Sequence, residues 1–343
     1  MTDARQDAPS FDGDDMVLPF TVEGLDVRGR VVRLGPAVDA VLARHGYPPA
    51  VSRVLGEAMA LTVLLGSSLK LEGRFQLQTR SDGPVNMLVV DFDAPDRLRG
   101  CARFDGEALA AALAAGETST GALLGAGHMA LTIDQGGHAS RYQGLTPLEG
   151  KSLEACAHAY FRQSEQIPTF IRLAFGEEMV GGPQGGGRYR AGGLMLQYLP
   201  RSPERLRQAD LDPAGASGAD APGDESDAWT EARLLAETTE AHELLDPGLP
   251  ASRLLYRLYH ERGVRVFTPQ PVREACRCSR ERIINMLGSF SPAERRDMAA
   301  DDGRIGVTCE FCSRRYELEL AQVEAELAAA AMAASGEGGE RSP

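Results

Sequence analysis

Four of the chain's six cysteines stand in two tight pairs, Cys276 with Cys278 and Cys309 with Cys312, with residues 279–308 between them. Few sequence features restrict a fold as much. Two closely spaced thiol pairs, brought together by a small fold, supply the four soft ligands of a tetrahedral zinc site. None of the six histidines lies between the pairs, which favours a site of four thiolates over a mixed one. The surrounding segment has few large apolar residues, whereas one structural zinc ion contributes about 10–16 kcal/mol to small domains near pH 7. The metal would then be most of that segment's stability.

The spacing leaves the purpose of the metal open. An inert staple, as in a zinc ribbon, is one reading. A switch is another: the first pair is C-x-C rather than the C-x-x-C of an ordinary ribbon, and each pair is close enough in sequence to close its own disulfide if the metal leaves. Zinc-held thiolates are already deprotonated, so an oxidant meets their reactive form. A nucleic-acid-binding zinc module is the rival, and it calls for a local surplus of positive charge. From Cys276 to Cys312 six arginines stand against six acids, a balance of zero. A dithiol oxidoreductase fits less well, because its C-x-x-C opens a helix and Cys309 and Cys312 fall between two strand patterns.

At 343 residues, with 43% hydrophobic residues and one tryptophan, the composition is that of a globular protein with room for a large domain and a small one. The net charge of −13 argues against a chain that mainly neutralises phosphates or coats an anionic membrane. The opening residues MTDARQDAPSFDGDD lack the basic start and apolar run of a signal peptide. The most apolar segment, Ala58 to Gly66, is too short to span a bilayer and reads as a buried helix. A cytoplasmic protein is expected, and in that reducing compartment paired cysteines serve as ligands or redox sensors.

Patterning along the chain predicts an α+β fold. Residues 1–15 read as a disordered N-terminus and 16–200 as a mixed core domain with antiparallel hairpins. DVRGRVVRLG alternates like a strand; GPAVDAVLARHG has helical spacing and a closing glycine. Phe75, Leu77 and Thr79 share one face of a hairpin turning at Asp82 and Gly83, and a second hairpin is centred on Gly136 and Gly137. Residues 201–262 form a linker: an acidic Asp-, Ala-, Gly- and Pro-rich stretch, then one helix over about 227–245, then a helix placing Leu254, Leu255, Leu258 and Tyr259 on one apolar face. Residues 263–330 form the zinc-binding segment, with a short helix, a capping box from Ser291 to Glu294, and strand–knuckle–strand around Cys309 and Cys312. Residues 331–343 are expected to fray.

Other motifs carry no chemistry. Ser67-x-x-Lys70 ends an apolar helix where a serine nucleophile needs the start, and the glycine-rich run from Gly181 to Arg188 lacks the lysine and hydroxyl of a phosphate loop. Cys101, alternating with Arg99 and Arg103, reads as a half-buried strand residue and Cys156 as core. No catalytic constellation is visible, and the chain is not expected to be an enzyme.

With the cysteines placed, the chain resembles the heat shock protein 33 family of redox-regulated holdase chaperones. CRCSRER and VTCEFCSRRYEL are similar to its zinc-domain signatures; RYQGLTPLEG, AYFRQSEQIPT and AGGLMLQYLP to its core-domain motifs; and LYHERGVRVF to the entry of its zinc domain. The likeness runs from about Leu18 to Leu320. The resemblance implies a reduced, monomeric, inactive form holding one zinc ion on Cys276, Cys278, Cys309 and Cys312. It further implies that oxidation pairs Cys276 with Cys278 and Cys309 with Cys312, that zinc leaves, and that the zinc domain and linker unfold. The active form would dimerise and hold unfolding client proteins without ATP, with neither nucleic acid nor membrane as partner. Leu254, Leu258 and Tyr259 are candidates for the client surface, because an apolar face docked at rest is exposed when its support is lost. The acidic stretch 210–227 and the alanine-rich tail depart from the common pattern, and Cys101 and Cys156 lie outside its four-cysteine switch. A constitutive zinc-stapled interaction or nucleic-acid module stays as the alternative, separated by whether activity requires oxidation.

Overall fold

The computed structural model describes residues 13–68, 73–135, 141–179, 187–198 and 227–336. The start of the N-terminal tail, Lys70, the turn at Gly136 and Gly137, the connection from Gly181, the acidic stretch before Asp227 and the end of the tail lie outside the described residues. The chain divides into two units, Met1–Ala275 and Cys276–Pro343.

The first unit contains strands β1 (Met16–Val22), β2 (Val27–Leu34), β3 (Arg74–Ser81), β4 (Met87–Asp93), β5 (Arg97–Arg103), β6 (Gly127–Asp134), β7 (Tyr142–Pro147), β8 (Thr169–Met179) and β9 (Gly187–Tyr198). Three short strands follow late in the unit: β10 (Val264–Val266), β11 (Gln270–Pro271) and β12 (Arg273–Glu274). One sheet runs β10-β1-β2-β9-β8, with β11 also on β1; the other runs β12-β5-β4-β3-β6-β7. All pairings are antiparallel except β12 with β5. The α+β class read from the hairpin patterns is the fold observed.

Helices α1 (Pro36–His45), α2 (Pro49–Gly66), α3 (Gly106–Ala114), α4 (Thr120–Leu124) and α5 (Leu153–Tyr160) belong to the same unit. Gly46, at φ +59°, closes α1 in the left-handed conformation that glycine adopts without a Cβ penalty. Helix α2 is apolar on all sides but the one carrying Arg53 and Glu57, and most of it is buried. Among the described residues it is the one helix long and apolar enough to cross a membrane, yet 78% of it is buried inside the protein. Leu55, Met59 and Leu64 meet Val32 and Met195 of the first sheet and Leu77 and Val90 of the second in one continuous core. The Phe75, Leu77 and Thr79 face of β3 is buried, as its alternation requires.

The opposite face of the first sheet is covered by α6 (Asp227–Glu237), α7 (Ala241–Leu245) and α8 (Ala251–Tyr259). The single helix expected over 227–245 is two. Thr238 turns its hydroxyl onto the carbonyl of Leu235, and Glu240 and Glu243 form a capping box that starts α7 afresh. Side chains that bond to nearby backbone compete with a continuing helix, and this pair of residues marks the break.

The second unit comprises α9 (Arg280–Leu287), α10 (Pro292–Asp297), the hairpin β13 (Arg304–Thr308) with β14 (Arg315–Glu319), and α11 (Leu320–Gly336). The capping box from Ser291 to Glu294 forms as its sequence indicates. This unit starts at Cys276 rather than Gly263, because β10, β11 and β12 pair into the first unit's sheets. The alanine-rich segment beyond residue 330 is helical to Gly336, in keeping with alanine's helix propensity.

Candidate metal centre

The second unit has a small core. Ile283, Ile284 and Leu287 of α9 meet Ile305, Leu318 and Val323, and these six are its buried apolar cluster among the described residues. Arg295 adds a polar tie: Nε and Nη2 donate to the two carboxylate oxygens of Glu324, each at 2.7 Å, while Nη1 donates to the carbonyls of Leu287 and Phe290. Such a bidentate pair fixes geometry as well as charge.

The hairpin delivers one thiol pair. After β13 the chain turns so that the Cys309 amide donates to the Arg314 carbonyl at 3.0 Å and the Ser313 amide to the Cys309 carbonyl at 2.9 Å. Ser313 takes φ +54°, a left-handed position uncommon for a residue with a Cβ. The other pair precedes α9, which Ser279 caps by accepting from the Arg282 amide. All four sulfurs lie within 4.8 Å of one another. Cys276 Sγ is 3.7 Å from Cys309 Sγ and Cys278 Sγ is 3.4 Å from Cys312 Sγ, so each short contact joins one pair to the other. A regular tetrahedron with zinc–sulfur bonds of ~2.3 Å has sulfur–sulfur edges of ~3.8 Å. The four half-buried free thiols therefore fit a tetrahedral thiophilic metal ion.

The electrostatics of the cluster are uneven. Burial pushes the Cys278 thiol up, but the Tyr316 hydroxyl, donating at 3.2 Å, and the neighbouring thiols outweigh it and bring Cys278 down to about 7. Burial pushes Cys309 up against hydrogen bonds from the amides of Phe311 and Cys312, and likewise pushes Cys312 up against the Arg314 amide. The Arg314 guanidinium lies near the Tyr316 hydroxyl and sulfur cluster and is held charged by them. Amide and phenol donors aimed at sulfur favour its thiolate, as partners outside a metal's ligand set commonly do. Tyr316 and Arg314 escaped the sequence reading. Tyr316 shows there only as one member of an alternating strand.

Cys101 and Cys156 take no part in this cluster. Cys101 is buried on β5 opposite Val89, and Cys156 is buried on α5 with its thiol pushed up to about 11 by burial.

Within the first unit, Leu254, Leu258 and Tyr259 are buried against the first sheet together with Trp229, Phe20 and Leu196. Polar clamps accompany this apolar contact. Arg33 of β2 donates to the carbonyls of Glu243 and Asp246, both at 2.7 Å, and Arg190 of β9 donates to that of Leu245 at 2.6 Å. Arg172 of β8 reaches the carbonyls of Glu237 and Thr239. Those of Glu237, Glu243 and Leu245 are carbonyls that helix ends leave without intrahelical partners, so three sheet arginines cap the ends of α6 and α7. Gly192 of β9 permits the approach: a Cβ there would come within 2.6 Å of the Leu244 carbonyl oxygen.

Two sheets around a buried helix, a helical layer over the outer sheet face and a four-thiol module define the class: an α+β protein with a C-terminal four-cysteine module. The family model described as Hsp33 protein matches residues 15–319. The chain belongs to the Hsp33 family. It is 46% identical over 321 residues to the 33 kDa chaperonin of Caulobacter vibrioides, covering 93% of this chain and 99% of that protein. It is 36% identical to the 33 kDa chaperonin of Ectopseudomonas mendocina, covering 90% and 94% respectively. In fold it is similar to the crystal structure of the 33 kDa chaperonin of Thermotoga maritima, with a TM-score of 0.71 at 21% identity over 92% of this chain and 98% of that one.

Proposed function

We propose that the protein is a redox-regulated, ATP-independent holdase chaperone that binds unfolding client proteins and has no catalytic activity of its own. The observation that carries the reading is a cluster of four reduced sulfurs in a unit with only six described buried apolar residues, joined by the chain to helices that cover an apolar sheet face. Residues 16–200 act as the core, 201–262 as the linker and 263–330 as the redox segment, whose strands β10, β11 and β12 pair into the first unit while its four thiols stand in the second.

In the resting form Cys276, Cys278, Cys309 and Cys312 hold one zinc ion, which when bound keeps the sulfurs deprotonated and supplies much of the second unit's stability. Oxidation joins Cys276 to Cys278 and Cys309 to Cys312. Four electrons leave the four sulfurs, two for each new bond, and two peroxide molecules accept them and leave as water. Every donor sulfur is consumed. The second unit then has too little core to hold its fold, and α6 to α8 are freed to lift from the first sheet. Leu254, Leu258 and Tyr259, with the sheet face beneath them, become the client surface, and the same exposed area supports a homodimer. The absence of a local basic surplus supports clients over nucleic acid, and the work fits a cytoplasmic, membrane-independent protein.

The test follows zinc content and free thiols through peroxide treatment at mildly raised temperature, with suppression of client aggregation read on the same samples. The expected result is one zinc released as four thiols disappear, with suppression appearing only then and lost on reduction. Zinc retained through oxidation, or suppression indifferent to redox state, would instead establish a constitutive zinc staple.

A further inference from the structure

Near the C-terminal end of α2 a cavity of about 460 Å³ opens between the two sheets of the first unit. Its size falls in the ~300–1,000 Å³ range of small-molecule sites. Phe75, Leu131 and Ile133 of the second sheet and Tyr160 and Phe161 line much of it, while Arg28 and Arg30 enter from β2. Both arginines sit on the face of β2 that also carries Val32 and Leu34 inward, so Arg30 points toward the protein interior.

Arg30 is placed at a cost. Among the described residues its side chain makes no hydrogen bond or ion pair, and its Nε is closed to solvent without a partner. Burial, and then the neighbouring charge of Arg28, pull the guanidinium down to about 10, with no carboxylate offsetting them. Arg28 is held by Gln197 at 3.3 Å, and Glu165, the one acid of the described lining, accepts from the Tyr160 hydroxyl at 2.9 Å. Arg30 is half-buried with only its Nε closed to solvent, so the guanidinium loses part of its hydration without gaining a counter-ion among the described residues, and an apolar residue of similar length would serve packing as well. Two arginines against one glutamate leave the cavity one positive charge in excess, which a single negative charge would neutralise.

We propose that this cavity binds a small amphipathic monoanion, a carboxylate carried on an apolar or aromatic body, with Arg30 as its ion-pair partner. The planar guanidinium matches a carboxylate with two parallel hydrogen bonds, and the aromatic and aliphatic wall takes the body of the ligand. The site is separate from the cysteines and does not depend on the redox reading. A ligand there would bridge the two sheets and stabilise the first unit by binding its folded state alone.

The experiment uses the full-length reduced protein and octanoate as probe, with calorimetric titration and thermal melting. Octanol carries the same body without charge, and inorganic phosphate carries charge without the body. Octanoate is expected to bind saturably at one site per chain and raise the melting temperature, with octanol and phosphate at least tenfold weaker. Arg30→Met is expected to weaken octanoate at least tenfold while melting, without ligand, at or above the wild-type temperature. Arg30→Lys, which keeps the charge and gives up the planar fork, is read beside it and is expected to fall between the two. Equal binding of octanol would reduce the site to an apolar cleft, and equal binding of phosphate to a general anion site. Either result overturns the proposal, as does octanoate affinity unchanged in Arg30→Lys together with an unchanged or unfolded Arg30→Met.

Discussion

Tyr259, the last residue of α8, stacks on Phe20 of β1 with ring centroids 6.2 Å apart. Its hydroxyl donates to the Ala232 carbonyl of α6 at 3.1 Å, so one side chain ties two covering helices to the sheet. Truncating a buried aromatic costs about 3–5 kcal/mol. Tyr259→Ala is expected to loosen the helical layer and to suppress client aggregation with its thiols still reduced. Backbone amides of residues 227–262 should exchange faster in hydrogen-exchange measurements. A reduced Tyr259→Ala protein that stays inactive and protected would make Tyr259 ordinary core.

The sheet arginines supply a second handle on the same contact. Arg33→Met removes both donors at the end of α7 and leaves the Glu243 carbonyl unsatisfied, while that of Asp246 keeps the Leu249 amide, a loss of about 1–3 kcal/mol. The amides of α7 should then exchange roughly 5- to 150-fold faster, the equivalent of that energy. Exchange unchanged in α7 would show that its apolar side alone keeps it in place.

Tyr316 sets the reactivity of one thiol. Without metal, the phenol and the other thiols outweigh burial and bring Cys278 down to about 7. Tyr316→Phe removes the phenol donor, so the thiol should titrate higher and hold less thiolate at neutral pH. The alkylation rate of Cys278 followed against pH should show its midpoint shifted upward, with a rate at pH 7 several-fold lower. A midpoint that does not move would assign the low value to the thiols alone.

His158 gives the first unit an acid sensitivity. Its Nε2 accepts from the Ile171 amide at 2.8 Å, and burial, helped by Arg162, holds the imidazole below its usual 6.5. Arg233 and Glu237 of α6 line the same cleft. A histidine whose folded pKa is depressed binds its proton more readily in the unfolded chain, so stability is full above about 6.5 and falls as pH drops through that value. His158→Gln keeps an acceptor for Ile171 and cannot titrate. Melting temperature plotted from pH 7.5 to 5.5 should be flatter for this variant than for the wild type, and parallel curves would exonerate His158.

The residues legible in the sequence are those whose partners are near in the chain. The spacing within each cysteine pair, the capping box at Ser291 and Glu294, the glycine after α1 and the alternation of Phe75, Leu77 and Thr79 all express contacts made within a few residues. The docked face of Leu254, Leu258 and Tyr259 could be seen as apolar, though the pattern could not say that β1 and α6 would meet it. Arg33 finds its carbonyls 210 and 213 positions away, and nothing local distinguishes it from a solvated strand arginine. The same holds for Arg30, whose meaning rests on partners it lacks among the described residues, and for Tyr316, which any strand could carry. Short strands such as β10 escape because three residues give no period to read.

Helix α2 also sets a schedule. It is complete by Gly66, yet half of its enclosure is the sheet in which β2 awaits β9, ending at Tyr198. At a synthesis rate of ~5–20 residues per second, an apolar helix able to pass for a membrane span stays uncovered on the ribosome for on the order of ten seconds. A protein proposed to shield other chains from aggregation would thus begin as a nascent chain in need of the same shelter.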